Sequence, residues 1–430
     1  MLKRKVTISV LVTMLLAAPA AAQSDTVKYV PKPLDEVSEA IRELRKARQE
    51  ARDSVTDAIR DRQEEQDESE RKNQRWIKCD LTGITMPESP DVFQSQFHFP
   101  PTRQYWTGTC WSFSTTSFLE SEVARLHGRQ VRLSEMHTVY YEWLDKTRRF
   151  VNERGKSRVT AGSESNAVFR VMKTYGAVPL DVYPGYISDP RHDHEEMDDE
   201  IREFLRFVCG ADQWDETQVI ESVKLIMNKH MGRPPSSFEY EGKTYSPKTF
   251  LDEVLKLDFD DYVCIMSTLE FPFYTLGPFD VPDNWWFDST YYNVPLDAWY
   301  DALKNAIKGG YTIALGGDIS EAGLNGLMDA AIVPDFDIPQ EYINQNSREY
   351  RMFAGSTTDD HGVHLVGYTE LDGRDWFLVK ESSKRGHWGR HIGYMFYRDD
   401  YVRLKMMEFA VHKDAVGELL TRFVAAQPAD

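Results

Sequence analysis

The stretch QYWTGTCWSF, residues 104–113, places a cysteine where a glycine-containing loop enters an apolar helical pattern. The pattern predicts a helix from Cys110 to Leu126, with Gly128 as its stop signal. A thiol in the first turn of a helix faces the positive end of the helix dipole, which favours the thiolate. Cys110 is therefore either a nucleophile or an ordinary small residue, and the rest of the chain must decide between the two.

A thiolate nucleophile needs a base, a group that orients the base, and donors for the oxyanion. The segment DDHGVHLVGY, residues 359–368, places His361 at the mouth of a predicted strand. Further along, WFLVKESS, residues 376–383, is a second strand-like run that leads into Glu381. The side-chain amide of Gln104, on the loop before the cysteine, can donate to an oxyanion beside the cysteine's backbone N–H.

Taken in this order, TGTCWSF, DHGVHLVGY and FLVKESS resemble the three active-site segments of the papain-like cysteine peptidases. The bleomycin hydrolase and aminopeptidase C branch of that family is more similar still. Further shared segments are GS at 162–163 leading to YGAVP at 175–179, LSEM at 133–136, GD at 317–318 and AVHK at 410–413. The resemblance runs from about Pro90 to Val416, and the ordered set is far more specific than any one segment.

The resemblance implies an α+β, papain-like two-lobed fold, in which a helical lobe and an antiparallel β lobe enclose an active-site cleft. It also implies that Cys110 is the nucleophile, that His361 is the base, and that Gln104 is the oxyanion donor. Gly162 and Ser163 correspond to the segment whose backbone pairs with a bound peptide, so both are candidate substrate-binding residues.

His364 is the obvious rival of His361 for the role of base. Residues three apart on a strand point to opposite faces, so both histidines cannot serve the same cleft directly. The family pattern selects His361. His364 is then expected to be a packed strand histidine.

The chain departs from the family pattern at three positions. Glu381 stands where the family has asparagine, and Ser383 where a tryptophan usually follows. A carboxylate can orient a histidine and stabilise its imidazolium, so a Cys-His-Glu triad is expected. Without the indole at 383, water could reach the site unless Trp388 shields it. The alternative role of Trp388 is that of a core aromatic. Ser163 replaces the second of two glycines, which suggests a different approach of the substrate.

The remaining sequence divides into four predicted segments. Residues 1–22 combine a basic start, an apolar run and small residues, which is typical of a secretory signal peptide. Residues 23–78 form a charged amphipathic helix and linker, residues 79–418 the peptidase domain, and residues 419–430 a C-terminal tail. Helical patterns dominate the first part of the domain and short β-type runs the last third, which is itself typical of an α+β body with a cleft.

The charged segment from Leu34 to about Arg75 lacks glycine and proline and predicts one long helix. Its sequence leaves three interpretations open: a solvated helix on the main domain, a helix that pairs with another chain as in a homo-oligomer, or a pro-segment that covers the cleft.

The composition excludes several functional classes. The 430 residues carry a formal net charge of −18, which argues against binding nucleic acid through a broad basic surface. Four cysteines are too few for a disulfide scaffold, although a bridge involving Cys79, Cys209 or Cys264 stays open. The sequence has no CxxC pair and no His/Cys cluster with zinc spacing, so we expect neither a metal nor a cofactor. After signal cleavage, no membrane segment is expected.

The sequence therefore predicts an exported cysteine peptidase, secreted or periplasmic, that hydrolyses peptide or protein substrates through a thioester on Cys110. An aminopeptidase preference is implied by the aminopeptidase C branch, in which the C-terminal tail occupies the cleft. The alternative is a catalytically impaired papain-like scaffold that binds a peptide or a partner, suggested by Glu381 and Ser383. A third interpretation, acyl transfer through the same residues, stays open because the residue types are the same.

Overall fold

The computed structural model describes residues 36–73 and 75–426. Residues up to Trp76 belong to one unit and residues from Ile77 onward to another. In the first unit, helix α1 spans Glu36–Asn73, and its described side chains are largely exposed. The predicted signal peptide lies outside the described residues, as does Leu34 at the start of the predicted charged helix. Within the described residues, no helix combines the length and the apolar character needed to cross a bilayer.

Helices supply one lobe of the second unit and strands the other. The helices are α2 Cys110–His127, α3 Glu135–Asn152, α4 Ser165–Tyr175, α5 Glu195–Gly210, α6 Glu216–Met231, α7 Pro247–Phe250, α8 Leu296–Lys308, α9 Gln345–Phe353, α10 Asp399–Lys405 and α11 Gly417–Ala426. The strands are β1 Gln94–Ser95, β2 Phe238–Tyr240, β3 Lys243–Tyr245, β4 Tyr262–Met266, β5 Thr275–Gly277, β6 Tyr291–Asn293, β7 Ile313–Gly317, β8 Leu324–Asn325, β9 Ala330–Ala331, β10 His361–Leu371, β11 Arg374–Lys380, β12 Tyr394–Arg398 and β13 Met406–His412.

One large sheet organises the β lobe, with strand order β5-β6-β4-β13-β7-β10-β11-β12-β9-β8 and β1 paired to β10. Its long central strands β4, β13, β7, β10, β11 and β12 are antiparallel, as the sequence predicts. Two short outer pairs, β4 with β6 and β12 with β9, are parallel, and the sequence did not indicate them. The papain-like α+β prediction is confirmed.

Each lobe has its own hydrophobic core. The helical core includes Phe118, Trp143 and Val223, from α2, α3 and α6. The sheet core includes Val363 and Phe377, from β10 and β11. Because β-branched and aromatic residues fill the sheet while the helices present apolar stripes, the change of sequence period marks the change of lobe.

Helix α2 is the element that joins the two lobes, since every residue from Trp111 to Val123 is buried. It ends at Gly128, whose φ of 66° lies in the left-handed region that favours glycine. The next helix, α3, begins after Ser134, whose hydroxyl accepts a hydrogen bond from the His137 backbone N–H at 3.0 Å. A buried polar helix of this kind is typical of one that carries functional groups between two packed layers.

The central position of α2 predicts a large difference between its buried middle and its exposed C-terminal end. Phe118 is fully buried against Phe169 and Tyr262, with ring centroids 6.4 and 5.6 Å away, whereas Leu126 near the end of the helix is 39% exposed. We expect Phe118→Ala to lower the free energy of unfolding by about 3–5 kcal/mol, because it leaves a cavity between the lobes. Leu126→Ala should change it by about 0.5 kcal/mol. Urea titration of both variants measures this, and equal effects would contradict the packing described.

Candidate active site

Cys110 is the first residue of α2 and is partly exposed. At this helical position the backbone N–H groups have no partner within the helix and point out of its positive end. Strand β10 approaches the same turn closely: a Cβ on Gly362 would lie 2.8 Å from Ser114 Oγ and 3.4 Å from Trp111 Cα. The glycine at 362 therefore allows the strand that begins at His361 to lie against the start of α2.

His361 is the first residue of β10. This strand pairs with β7 on one side and, on the other, with β11, the strand that precedes Glu381. Its Nε2 is 2.6 Å from Glu381 Oε1, and both side chains are almost fully buried. Burial opposes protonation of the imidazole, but the charges of Glu381 and Cys110 outweigh it and hold the pKa of His361 well above its usual range. The ring is therefore set up to carry a proton beside the thiol.

Glu381 directly follows β11 and is held in place by its surroundings. The Ser383 backbone N–H donates to Glu381 Oε1 at 2.7 Å. Burial would raise the pKa of Glu381, but His361 and the Ser383 N–H lower it below the ordinary value, so the carboxylate is charged. A Cβ on Gly386 would lie 2.4 Å from Glu381 Cγ, so a glycine is required where the following turn closes over this side chain.

Gln104 lies on the loop before α2 and is nearly buried. Its Nε2 donates to the Thr107 carbonyl at 2.7 Å, and its Oε1 accepts from the Ser382 hydroxyl at 2.7 Å. These contacts fix the orientation of the amide, whose second N–H is available for a ligand. Gln104 also lines a cavity of about 440 Å³ with Trp106 and Gly108, next to the start of α2.

Gly162 and Ser163 line a second, narrower cavity together with Cys110 and His361. A Cβ on Gly162 would lie 2.2 Å from Asp283 Oδ2, so any other residue here would displace the Asp283 carboxylate. The Ser163 hydroxyl donates to the buried Glu142 Oε1 at 2.6 Å. The extra side chain of Ser163 is thus directed toward Glu142, where a buried acceptor accommodates it.

The rival histidine belongs to a different environment. His364 is fully buried, its Nδ1 is 2.9 Å from Ser117 Oγ, and its ring lies 6.3 Å from that of Phe118. Burial, followed by the charge of Lys380, lowers the pKa of His364 well below its usual range. This neutral, packed ring is the environment expected for a strand histidine inside the protein.

Two further sequence-based expectations can be compared with the structure. Trp388 is 36% exposed, so it is not a core aromatic. The turn at Gly386 lies against Glu381. All four cysteines are within the described residues and are free thiols, so no disulfide bridge forms among them.

Sequence reasoning missed the residues that support the site. Ser382 holds Gln104, the backbone N–H of Ser383 holds Glu381, and Lys380 Nζ donates to Ser117 Oγ on α2 at 2.5 Å. The signal for them was their position directly beside a predicted site residue at the end of a strand. The sequence offered no way to derive which of these side chains faces which partner.

The fold and the arrangement of cysteine, histidine and carboxylate define a papain-like cysteine peptidase. The chain matches the Peptidase C1-like family over residues 85–430 and belongs to it. Aminopeptidase C of Lactococcus lactis subsp. cremoris is 22% identical over 400 residues, covering 81% of this chain and 88% of that protein. Aminopeptidase G of Lactobacillus delbrueckii subsp. lactis is 20% identical over 375 residues, covering 76% and 84%.

A solved structure agrees with the fold. The crystal structure of PepW from Lactobacillus rhamnosis HN001 superposes with a TM-score of 0.60 at 17% identity, covering 78% of this chain and 85% of that chain. The predicted resemblance to the aminopeptidase C branch is thereby confirmed, and the chain is a cysteine-type peptidase, a hydrolase.

The contact between Glu381 and His361 predicts how activity responds to pH. Because the pKa of His361 is raised, the imidazolium persists to high pH and is lost only as pH rises through that pKa. In Glu381→Gln the stabilising charge is gone, so the alkaline limb of the kcat/KM profile should move to lower pH by about one unit or more. Glu370→Gln, an exposed position on the same strand as His361, should leave the limb in place. An unchanged limb in Glu381→Gln would contradict the assigned contact.

Proposed function

We propose that the protein hydrolyses peptide amides through a thioester on Cys110, with His361 as general acid and base. The Cys110 thiolate attacks the carbonyl carbon, and the oxyanion accepts hydrogen bonds from the Gln104 amide and the Cys110 backbone N–H. His361 donates its proton to the leaving amine as the C–N bond breaks. It then takes a proton from water, which attacks the thioester and releases the acid and the thiol.

The observation that carries this proposal is the buried, 2.6 Å contact between His361 Nε2 and Glu381 Oε1. It leaves Nδ1 for the thiol, with which His361 also interacts. A protein that only binds peptides would gain nothing from a raised imidazole pKa and a charged carboxylate at this depth, where unpaired charges are costly. Glu381, the departure that suggested an impaired scaffold, therefore supports activity.

The relatives named aminopeptidase support a preference for peptides with a free N-terminus. In this chain, however, the last helix, α11 Gly417–Ala426, packs against the sheet lobe through Phe423, which contacts Tyr274 and Tyr292. None of its described residues lines the cavity at Gln104 or the cavity at Cys110. Residues 427–430 of the predicted tail lie outside the described residues.

A matched pair of cysteine variants tests the proposed nucleophile. Cys110→Ala should reduce amide hydrolysis by at least about 10³-fold, since the thioester can no longer form. Cys209→Ala removes an exposed free thiol on α5 and should leave the rate unchanged. Hydrolysis of a fluorogenic peptide amide by the purified proteins measures both. Persistence of full activity in Cys110→Ala would rule out the assignment.

We further propose that the protein is exported, secreted or periplasmic, on the basis of residues 1–22. Intact-mass and N-terminal analysis of protein from the exported fraction of expressing cells should give a chain that begins near Gln23. Retention of the complete N-terminus in the cytoplasmic fraction would contradict export without affecting the proposed chemistry.

A further inference from the structure

The narrower cavity at Cys110 is lined by acidic side chains that the proposed chemistry does not use. Its lining includes Glu164, Asp359, Glu408 and Asp283 beside Cys110 and His361. These residues come from separate parts of the chain: the start of α4, the turn before β10, strand β13, and an aromatic-rich loop. We call the part formed by Glu164, Asp359 and Glu408 the acidic subsite.

Two of these carboxylates are buried without a cationic partner. Glu164 is 3% exposed and Glu408 is 1% exposed, and among the described residues neither forms an ion pair. Glu164 Oε1 and Glu408 Oε2 have no hydrogen-bond partner, while Glu408 Oε1 accepts only a 3.3 Å bond from Ser165 Oγ. Buried carboxylate oxygens without partners are costly, so they are expected where a ligand supplies the missing partner.

The other buried glutamates in the described chain show the contrast. Each has a cationic side chain within ion-pair distance: Glu120 and Glu135 with Arg132, Glu122 with Arg125, Glu142 with Arg170, and Glu381 with His361. Lys146, whose charge also acts on Glu164, donates its Nζ to the carbonyls of Thr160 and Gly162. The imidazole of His361 lines the same cavity, but its ion pair is with Glu381. The protein thus gives its other described buried glutamates an ion-pair partner and leaves this pair, beside the thiol, without one.

The titration of the acidic subsite agrees with this picture. Burial, and then the charge of Asp359, raises the pKa of both Glu164 and Glu408 well above the ordinary range. Without a ligand, the subsite therefore retains protons that a bound cation would displace. Asp359 is partly accessible to solvent, so a group can reach the subsite from outside.

The spacing of the carboxylates, rather than the size of the cavity, favours an organic cation over a metal ion. The volume of the cavity is about 30 Å³, which admits one or two water-sized groups and hence a primary ammonium. The carboxylates of the subsite are not gathered closely enough to form a metal cluster. Among the described residues, the one group that is so gathered, Glu196 with Glu200 and His230, lines neither cavity, and Lys229 already pairs with both of its glutamates.

We propose that the acidic subsite binds a primary ammonium group of the peptide substrate, on the acyl side of the scissile bond where Gly162 and Ser163 line the same cavity. This inference rests on the proposed peptidase function and adds the substrate class. The ammonium has two sources with the same chemistry, the free α-amino group of the peptide and a lysine side chain. Either source supplies the partner that Glu164 and Glu408 lack.

The test compares substrates that differ only in the ammonium group. The set contains coumarin amides of acetyl-Lys-Ala, acetyl-norleucyl-Ala and free norleucyl-Ala, with free and acetylated Ala as single-residue members. Norleucine matches the lysine chain without its charge. We expect kcat/KM to be about 10- to 100-fold higher where the ammonium is present, because it completes charge-assisted hydrogen bonds to buried oxygens.

Two isosteric variants assign the effect to the subsite. Glu164→Gln and Glu408→Gln should each reduce the ratio between charged and neutral substrates by about 10-fold. Both should fold, because an amide matches the size and the neutral charge of the protonated carboxyl that the free subsite holds, and their melting temperatures verify this. Glu122→Gln, a buried glutamate of α2 that pairs with Arg125, is the matched control and should retain the ratio.

Binding to the Cys110→Ala protein separates this inference from the proposed function. Calorimetry with acetyl-Lys-Ala amide, acetyl-norleucyl-Ala amide and free norleucyl-Ala amide measures the subsite without turnover. If acetyl-Lys-Ala amide binds more tightly than acetyl-norleucyl-Ala amide, the ligand of the subsite is the lysine side chain. If free norleucyl-Ala amide binds more tightly than its acetylated form, the ligand is the α-ammonium group. Cleavage or binding of all peptides without any gain from an ammonium would overturn the inference and leave the peptidase function standing. Ammonium-selective binding by a protein that cleaves none of the substrates would support the acidic subsite and overturn the proposed peptidase function.

Discussion

The buried contact between the His361 imidazole and the Glu381 carboxylate is the interaction on which the site depends. Neither charge would be stable alone at that depth, because an unpaired buried ion costs several kcal/mol. The end of strand β11 supports the pair on both sides: Lys380 donates to a hydroxyl of α2, and Ser382 donates to the side-chain amide of Gln104. One strand end thus fixes the proposed base and the proposed oxyanion donor relative to the helix that carries the thiol.

The local packing explains how the chain accommodates its departures from the family pattern at Glu381 and Ser383. Glu381 is one methylene longer than asparagine, and the extra length is accommodated because Gly386 has no side chain at the point of closest approach. Ser383 lacks the usual indole, but its backbone N–H compensates part of the cost of burying the carboxylate. A charged orienting group holds more positive charge on the base than a neutral amide can, which moves the working range of the base to higher pH.

The sequence predicted the parts of the site whose signals are local. The start of α2 at Cys110 and its end before Gly128 follow from side-chain spacing, and the mouth of β10 at His361 follows from an apolar run after charged residues. The acidic subsite was not predicted, because Glu164 and Glu408 are far apart in the chain and come together only where the start of α4 packs beside β13, with Ser165 Oγ 3.3 Å from Glu408 Oε1. Every residue of strand β13, MMEFAVH, is buried. The glutamate within this apolar run is visible in the sequence, but the residues that surround it in the fold are not.

The central claim, that Cys110 is the nucleophile and His361 its base, is tested most directly by alkylation mapped along the chain. Iodoacetamide labelling of the purified protein and of His361→Ala, followed by mass spectrometry across pH, compares Cys110 with the exposed Cys209 in the same molecule. The expected result is selective labelling of Cys110 at a pH where Cys209 does not react, and loss of that selectivity in His361→Ala. Labelling of Cys110 with the same pH profile as Cys209 in both proteins would contradict it.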